Sequence, residues 1–180
     1  MCAVRRVREV RVYGRDAERR ARFAEEMSPL LGVPVVAVDR PEAAARDASI
    51  LVTITGSRTP VLEGRWIQPG THVNAAGSNA LQRAELDVEA VRRAGLIVTD
   101  SLEQARVECG DLVAPLEQGV IRWEDVHELG EVVAGRRPGR TGPDEVTLFE
   151  SQGVAMEDVA VAVRVVARAR ERRIGTEIPI

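Results

Sequence analysis

The stretch Thr71-His72-Val73-Asn74-Ala75-Ala76-Gly77-Ser78-Asn79-Ala80-Leu81-Gln82-Arg83-Ala84-Glu85-Leu86 carries a short apolar strand into small, flexible and polar residues and then into a helix. Pro69-Gly70 before it is turn chemistry, so a strand begins at about His72 with Val73 and Ala75 on one face. Ala75, Ala76, Gly77 and Ser78 are small enough to let backbone approach a bound group closely. Asn79 then stands at the carboxyl end of the strand, where open α/β sheets place their ligands. A plain strand-to-loop junction would give the same pattern.

Outward from this stretch the chain alternates strands and helices. Val10 and Val12 alternate with Arg11 and Tyr13 and end at Gly14-Arg15-Asp16; Ala17, Ala21, Ala24 and Met27 then recur at helical spacing until Ser28-Pro29, an expected stop. Val33 to Val38 is β-rich, and Asp39-Arg40-Pro41-Glu42 reads as a helix start with an Asp/Glu capping box. Ser49 to Thr55 is a continuous β-branched run, which predicts a strand buried on both faces. A helix is expected over Ala84 to Ala94, a strand over Leu96 to Thr99, and a helix capped by Ser101. Pro115 and Gly119 should break that helical region. Trp123, Val126, Leu129 and Val133 form one helical stripe, with His127 on the polar side. Gly135 to Asp144 is a loop whose arginines read as a solvated linker or a phosphate patch. Val146 to Phe149 is the last strand before a long Val/Ala helix from Val154 to Ala169. Repeated βα units predict an α/β protein with a parallel, doubly wound sheet.

Composition narrows the partners. The 180 residues are 44% hydrophobic and 29% charged, enough for one domain with a real core. A net charge of -3 gives no general attraction to nucleic acid or acidic lipid. Cys2 and Cys109 are too few for a disulfide framework and lack zinc-site spacing, as do His72 and His127, so no metal site is expected. Cys109 shares the apolar register Leu102, Ala105, Cys109, Leu112 and reads as a buried small hydrophobe. The first residues have no apolar core of a signal peptide, and Glu157, Asp158, Arg164 and Arg168 bar the long helix from a membrane. These features point to a soluble, cytoplasmic protein.

His72 to Asn79 followed by Arg83-Ala84-Glu85-Leu86-Asp87 resembles the signature of the ornithine cyclodeaminase/mu-crystallin family, and Val52 to Val61 and Glu145 to Val159 agree with it in order and spacing. The resemblance runs from about Val7 to the end. It implies a Rossmann-like NAD(P)-binding domain, yet no GxGxxG precedes Val10. The expectation is therefore a sheet lacking its first strand and glycine-rich turn, with the strands at Val10 to Tyr13 and Ile50 to Thr55 flanking the empty place. Residues 1–150 would form an incomplete dinucleotide-binding domain and residues 151–180 a carboxy-terminal helix and tail. The chain would be only the carboxy-terminal part of a family member, without the domain that supplies the dimer interface and holds the substrate carboxylate.

The implied function is the NAD(P)-binding portion of an oxidoreductase or lyase for a small amino acid, imino acid or ketimine, inactive in isolation. The alternative is a non-catalytic nucleotide- or ligand-binding module, or a partner of another chain; a homodimer fits either. Gly14 leaves space near a cofactor ribose, and Arg15 could pair with a 2′-phosphate through its planar fork, so NADP is favoured over NAD. Asp16 works against that preference unless it serves as the cap of the next helix. Thr53, Thr55 and Ser57 offer hydroxyls at a strand end. By the resemblance, Val73, Asn74, Ala75 and Ala76 pass along the nicotinamide and Gln152 lies near its ring. Asn79 occupies the position of a catalytic aspartate in the cyclodeaminase branch; an amide cannot exchange that proton, which favours a reductase or dehydrogenase. Glu85 and Asp87 read as solvated acids at a helix start.

Overall fold

A computed structural model describes residues 1–176 and 178, which form seven strands and seven α-helices, largely in alternation. The first unit is β1 (Val10–Val12), α1 (Ala17–Leu31), β2 (Val35–Ala37) and α2 (Pro41–Ala45). Then come β3 (Ile50–Thr53), β4 (His72–Ala75), α3 (Val88–Arg93), β5 (Ala94–Thr99), α4 (Leu102–Glu108) and α5 (Val113–Glu117). The chain continues through β6 (Val126–Glu128), α6 (Leu129–Val133), β7 (Val146–Glu150) and α7 (Ala155–Arg172). All pairings between these strands are parallel.

The expectation of a sheet lacking its first strand is corrected by β1, which is present at the amino-terminal end of the fold. Val10, Arg11 and Val12 pair with Val35, Val36 and Ala37, and the turn Gly14 to Asp16 delivers the chain into α1 as in any βαβ unit. These two strands make their own sheet, while β3-β4-β7-β5-β6 make a second. The last strand, β7, therefore lies between β4 and β5, so the sheet closes around the residues that come latest in the chain.

Local chemistry sets the helix ends. Asp16 caps α1, its Oδ1 accepting from the Arg19 amide at 3.0 Å. The expected stop at Pro29 does not occur: α1 continues to Leu31 and ends at Gly32, whose φ of 65° few other residues accept. Ser28 Oγ donates to the Ala24 carbonyl and accepts from the Val35 amide, tying this last turn to β2. Asp39 pairs with Arg20 instead of capping α2, whose first turn is set by Pro41. Pro115 lies near the start of α5, where a missing N–H costs little, so it begins a helix rather than breaking one. The stripe from Trp123 to Val133 is not one helix. It divides into a 3-10 turn, β6 and α6, and His127 sits on a strand.

One face of the five-stranded sheet carries the core. Leu51, Val73, Leu148, Ile97 and Val126 lie in a single register row across it, all buried, and pack with Ala90, Val91, Ala105 and Leu112. Val52 is 56% exposed on the opposite face, so β3 is covered on one side only and not on both as its composition suggests. β-branched residues serve an open face as well as a closed one. The one-sided arrangement makes a prediction for thermal unfolding: Val52→Lys should change stability by less than about 0.5 kcal/mol, whereas Leu51→Ala should cost about 2–4 kcal/mol.

Candidate functional site

Parallel strands end on one edge, and here that edge gathers chemistry. Thr53, Ala75, Glu150 and Thr99 form the last register row of β3, β4, β7 and β5. Beyond this row run the loops carrying Thr55 and Ser57, Ala76 to Asn79, Asp100, and Ser151 to Gly153. Asn79, Ser57 and Gln152, far apart in sequence, thus follow neighbouring strands at the same end of the sheet.

Two acids that the sequence hides among solvated ones organise these loops. Glu85 is fully buried; its Oε1 accepts from the Thr55 amide at 2.5 Å and its Oε2 from the Gly77 amide at 2.8 Å. Asp111 Oδ1 accepts in turn from the Glu85 and Leu86 amides, at 2.6 and 2.8 Å. Ser78 Oγ donates to the Arg83 carbonyl and accepts from the Asp111 amide, which closes the network around the loop from Ala76 to Leu86. Asp87 is no solvated acid either: it caps α3 through the Ala90 amide and also accepts from Gly64. Asp100, which the sequence reading passed over, fixes the Gln152 loop, its Oδ2 accepting from the Gln152 and Gly153 amides at 2.9 and 2.7 Å. Its only sequence signal is its place between a strand end and the Ser101 helix cap.

Each expected site residue has a definite setting. Asn79 is exposed, and its Oδ1 accepts from the Arg83 guanidinium at 2.8 Å. Thr55 is exposed and its Oγ1 accepts from the Ser57 amide, while Ser57 Oγ donates to the Thr59 carbonyl. Gln152 is buried with neither end of its amide bonded, and Thr53 Oγ1 and Asn74 Nδ2 are likewise buried without partners. Such orphaned groups fit a ligand that supplies the missing hydrogen bonds. Val73 and Ala75 turn their side chains into the core, so only their backbone and the half-buried Ala76 remain for the edge. Gly14 and the exposed Arg15 lie on the other sheet, at the end of β1.

Burial shapes the electrostatics. It pushes the Asp111 carboxyl up to about 6, against the amide bonds that favour its charged form. Glu150 is driven well above the usual carboxylate range by burial first and by Asp111 second, and its Oε1 and Asp111 Oδ2 have no partners. Burial likewise pushes the Cys109 thiol up, as expected of a cysteine packed as a small hydrophobe. His72 is lowered chiefly by burial. Among the described residues no group of three or more His, Cys, Asp or Glu side chains is arranged to hold a metal, and no helix is long and apolar enough to cross a membrane.

A parallel α/β sheet with polar loops gathered at its carboxyl edge defines a Rossmann-like nucleotide-binding fold. The model of the ornithine cyclodeaminase/mu-crystallin family matches residues 1–173, and the chain belongs to that family. It is 39% identical to the Thermococcus litoralis Δ1-pyrroline-2-carboxylate reductase, solved with NADH and L-proline, with a TM-score of 0.91 over 98% of this chain and 55% of that one. It is 37% identical to an archaeal alanine dehydrogenase dimer with bound NAD, TM-score 0.85, over 99% of this chain and 54% of that one. The iminosuccinate reductase of Paracoccus denitrificans, solved with NAD+, is 35% identical with a TM-score of 0.85, covering 99% and 54%. The chain spans about half the length of the curated relatives it matches, 53% and 54% in two of them.

These findings correct three expectations. The family match takes in residues 1–173, so the likeness begins ahead of Val7 and is not confined to a carboxy-terminal part of this chain. The relatives aligned along nearly all of this chain are reductases and a dehydrogenase, which stands against the expectation of an inactive chain or a non-catalytic module. The three solved relatives hold NADH or NAD, not NADP. At the end of β1, Asp16 caps α1 and keeps its negative charge beside Arg15 while doing so, and Arg20 is already engaged with Gly14 and Asp39, which works against a 2′-phosphate there.

The acid network makes a pH prediction. Asp111 titrates near 6 when folded against 3.8 ordinarily, so the folded state binds the extra proton between these values. Its contribution to stability therefore rises as pH falls from about 7 towards 4 and is lost as pH rises through 6, by about 2–3 kcal/mol for a shift of this size. Glu150 acts in the same direction. Asp111→Asn keeps the accepting oxygen without the charge. Thermal unfolding across this range should give a flatter profile for the variant, with equal or greater stability than wild type at neutral pH.

Proposed function

We propose that this protein binds NAD(H) at the carboxyl edge of its sheet and acts as a reductase or dehydrogenase on a small imino or amino acid. The observation that carries the reading is Gln152, a buried side-chain amide with both ends unpartnered, held at the end of the central strand by Asp100. A nicotinamide carboxamide has the donor and the acceptor that such a group lacks. When bound, the cofactor would supply hydride exchange with the substrate α-carbon.

The residues of this chain have separate tasks. Thr53, Thr55 and Ser57 offer hydroxyls to the cofactor beyond β3, and the backbone of Val73, Asn74, Ala75 and Ala76 forms the wall beyond β4. Gly14 leaves room at the end of β1, where Asp16 favours NAD over NADP. Asn79 orients the amine or imine through its amide, braced by Arg83. With no ionisable group at that position, reduction or oxidation of the substrate is favoured over cyclodeamination. The solved relatives, a pyrroline-carboxylate reductase, an alanine dehydrogenase and an iminosuccinate reductase, support the substrate class. A homodimer, as in the archaeal alanine dehydrogenase structure, and a cytoplasmic setting suited to free Cys2 and Cys109 complete the proposal.

The test is titration of the full chain with NADH and NADPH, followed by nicotinamide fluorescence, and then NADH oxidation with Δ1-pyrroline-2-carboxylate. NADH should bind more tightly than NADPH, and Asp16→Ser should narrow the difference. Gln152→Ala should weaken NADH binding by about tenfold, the loss expected for hydrogen bonds to a buried amide. Absence of binding by wild type, or equal binding by Gln152→Ala, would overturn the assignment.

A further inference from the structure

The strands β3 and β4 pair regularly as far as Thr53 and Ala75, and past them the Ala76 amide donates to the Thr53 carbonyl and the Ala84 amide to the Ser57 carbonyl. One side chain bridges both loops as well. Glu85 arrives from the segment before α3, fully buried, and its two oxygens accept from Thr55 on one loop and Gly77 on the other. The backbone carbonyl of the same residue accepts from Val61 and Leu62, at 2.7 and 2.9 Å, and fixes the far end of the β3 loop. No ion pair reaches Glu85 among the described residues; its side-chain partners are the Thr55 and Gly77 amides, while Asp111 holds the backbone of Glu85 itself by accepting from the Glu85 and Leu86 amides.

The neighbouring glycine is shaped to this contact. A Cβ on Gly77 would lie 2.2 Å from the Thr55 carbonyl oxygen, 2.4 Å from its nitrogen and 2.7 Å from Glu85 Cδ. The two loops thus touch backbone to backbone, and any side chain at Gly77 would drive them apart. Both partners of the carboxylate are N–H donors, so two accepting oxygens are required. A glutamine would turn its NH2 group towards one of them.

We propose that Glu85 is a positioning residue: one buried carboxylate that sets the separation of the β3 and β4 loops, and so the alignment of Thr55 and Ser57 against Asn79 in the site. The link to cofactor and substrate rests on the function proposed above. The clasp itself does not. It stands on the two hydrogen bonds and on the close approach at Gly77.

Amide hydrogen exchange on the full chain reads the clasp without a ligand. In wild type the Thr55 and Gly77 amides should be protected to a similar degree, although both lie beyond the strand ends. In Glu85→Gln both should exchange at least about tenfold faster, as for loss of a charged hydrogen bond, with Val73 and Leu148 unchanged. The Kd for NADH should rise in the same variant, and in Gly77→Ala, where the carboxylate is intact and the loops are forced apart. Leu51→Ala, a core truncation away from the loops, should lower the melting temperature with no rise in that Kd. Fast exchange at either amide in wild type overturns the proposal even if both variants fail to fold. So does uniform loosening of the sheet in Glu85→Gln, or unchanged NADH affinity in a folded variant with released amides. Failure of wild type to bind NADH, with the exchange pattern intact, would instead remove the functional reading and leave the clasp standing.

Discussion

The structure depends on the parallel pairing of β7 between β4 and β5. Every residue of the polar edge is placed by it. His72 to Ala75 pair on one side with Ile50 to Thr53 and on the other with Thr147 to Glu150, which themselves face Leu96 to Thr99. Without this late strand, β3 and β4 would have no link through the sheet to β5 and β6, and the Gln152 loop would have no place beside the Asn79 loop. The same pairing puts Glu150 in the protein interior, next to Cys109 and within the field of Asp111. A carboxyl in the middle of a sheet is costly to ionise, so its proton belongs to the folded state.

What the sequence discloses is the part governed by neighbours in the chain. Asp16, Ser101 and the β-branched runs work through hydrogen bonds and backbone preferences that span a few residues, and caps and strands fall where those residues predict them. The stripe Trp123, Val126, Leu129, Val133 satisfies a helical period, yet Val126 to Glu128 finds a strand partner in β5, and pairing outweighs the period. Pro29 denies α1 the bond its N–H would make to the Glu25 carbonyl, and the last turn is held instead by Ser28, which ties it to β2. Val10 to Val12 reads as a strand and is one, with β2 as its partner in a two-stranded sheet.

The candidate site divides in the same way. Asn79, Ser57 and Gln152 could be placed on one edge from strand order alone, because parallel strands share their carboxyl ends. Glu85, Asp87, Asp100 and Asp111 could not. Each is one acid among 28 Asp and Glu residues, and what distinguishes it is a set of amides in its surroundings, two of them up to 52 or 53 positions away in the case of Asp100. The cofactor preference turned on Arg15, an exposed cation; the carboxylate that accompanies it, Asp16, is anchored by the helix it caps.

The long helix α7 differs from the rest of the chain in having almost no neighbours. Val159, Val161, Val163, Val165 and Val166 are all more than 45% exposed on its surface. Valine stiffens at χ1 in a helix and contributes less to it than alanine or leucine. A helix of 18 residues without tertiary support is near the limit of stability in water. Helix and sheet are therefore separate cooperative units. On heating, ellipticity from α7 would be lost gradually and ahead of the sharp transition of the β-sheet domain, so a single van't Hoff enthalpy would not describe the whole chain.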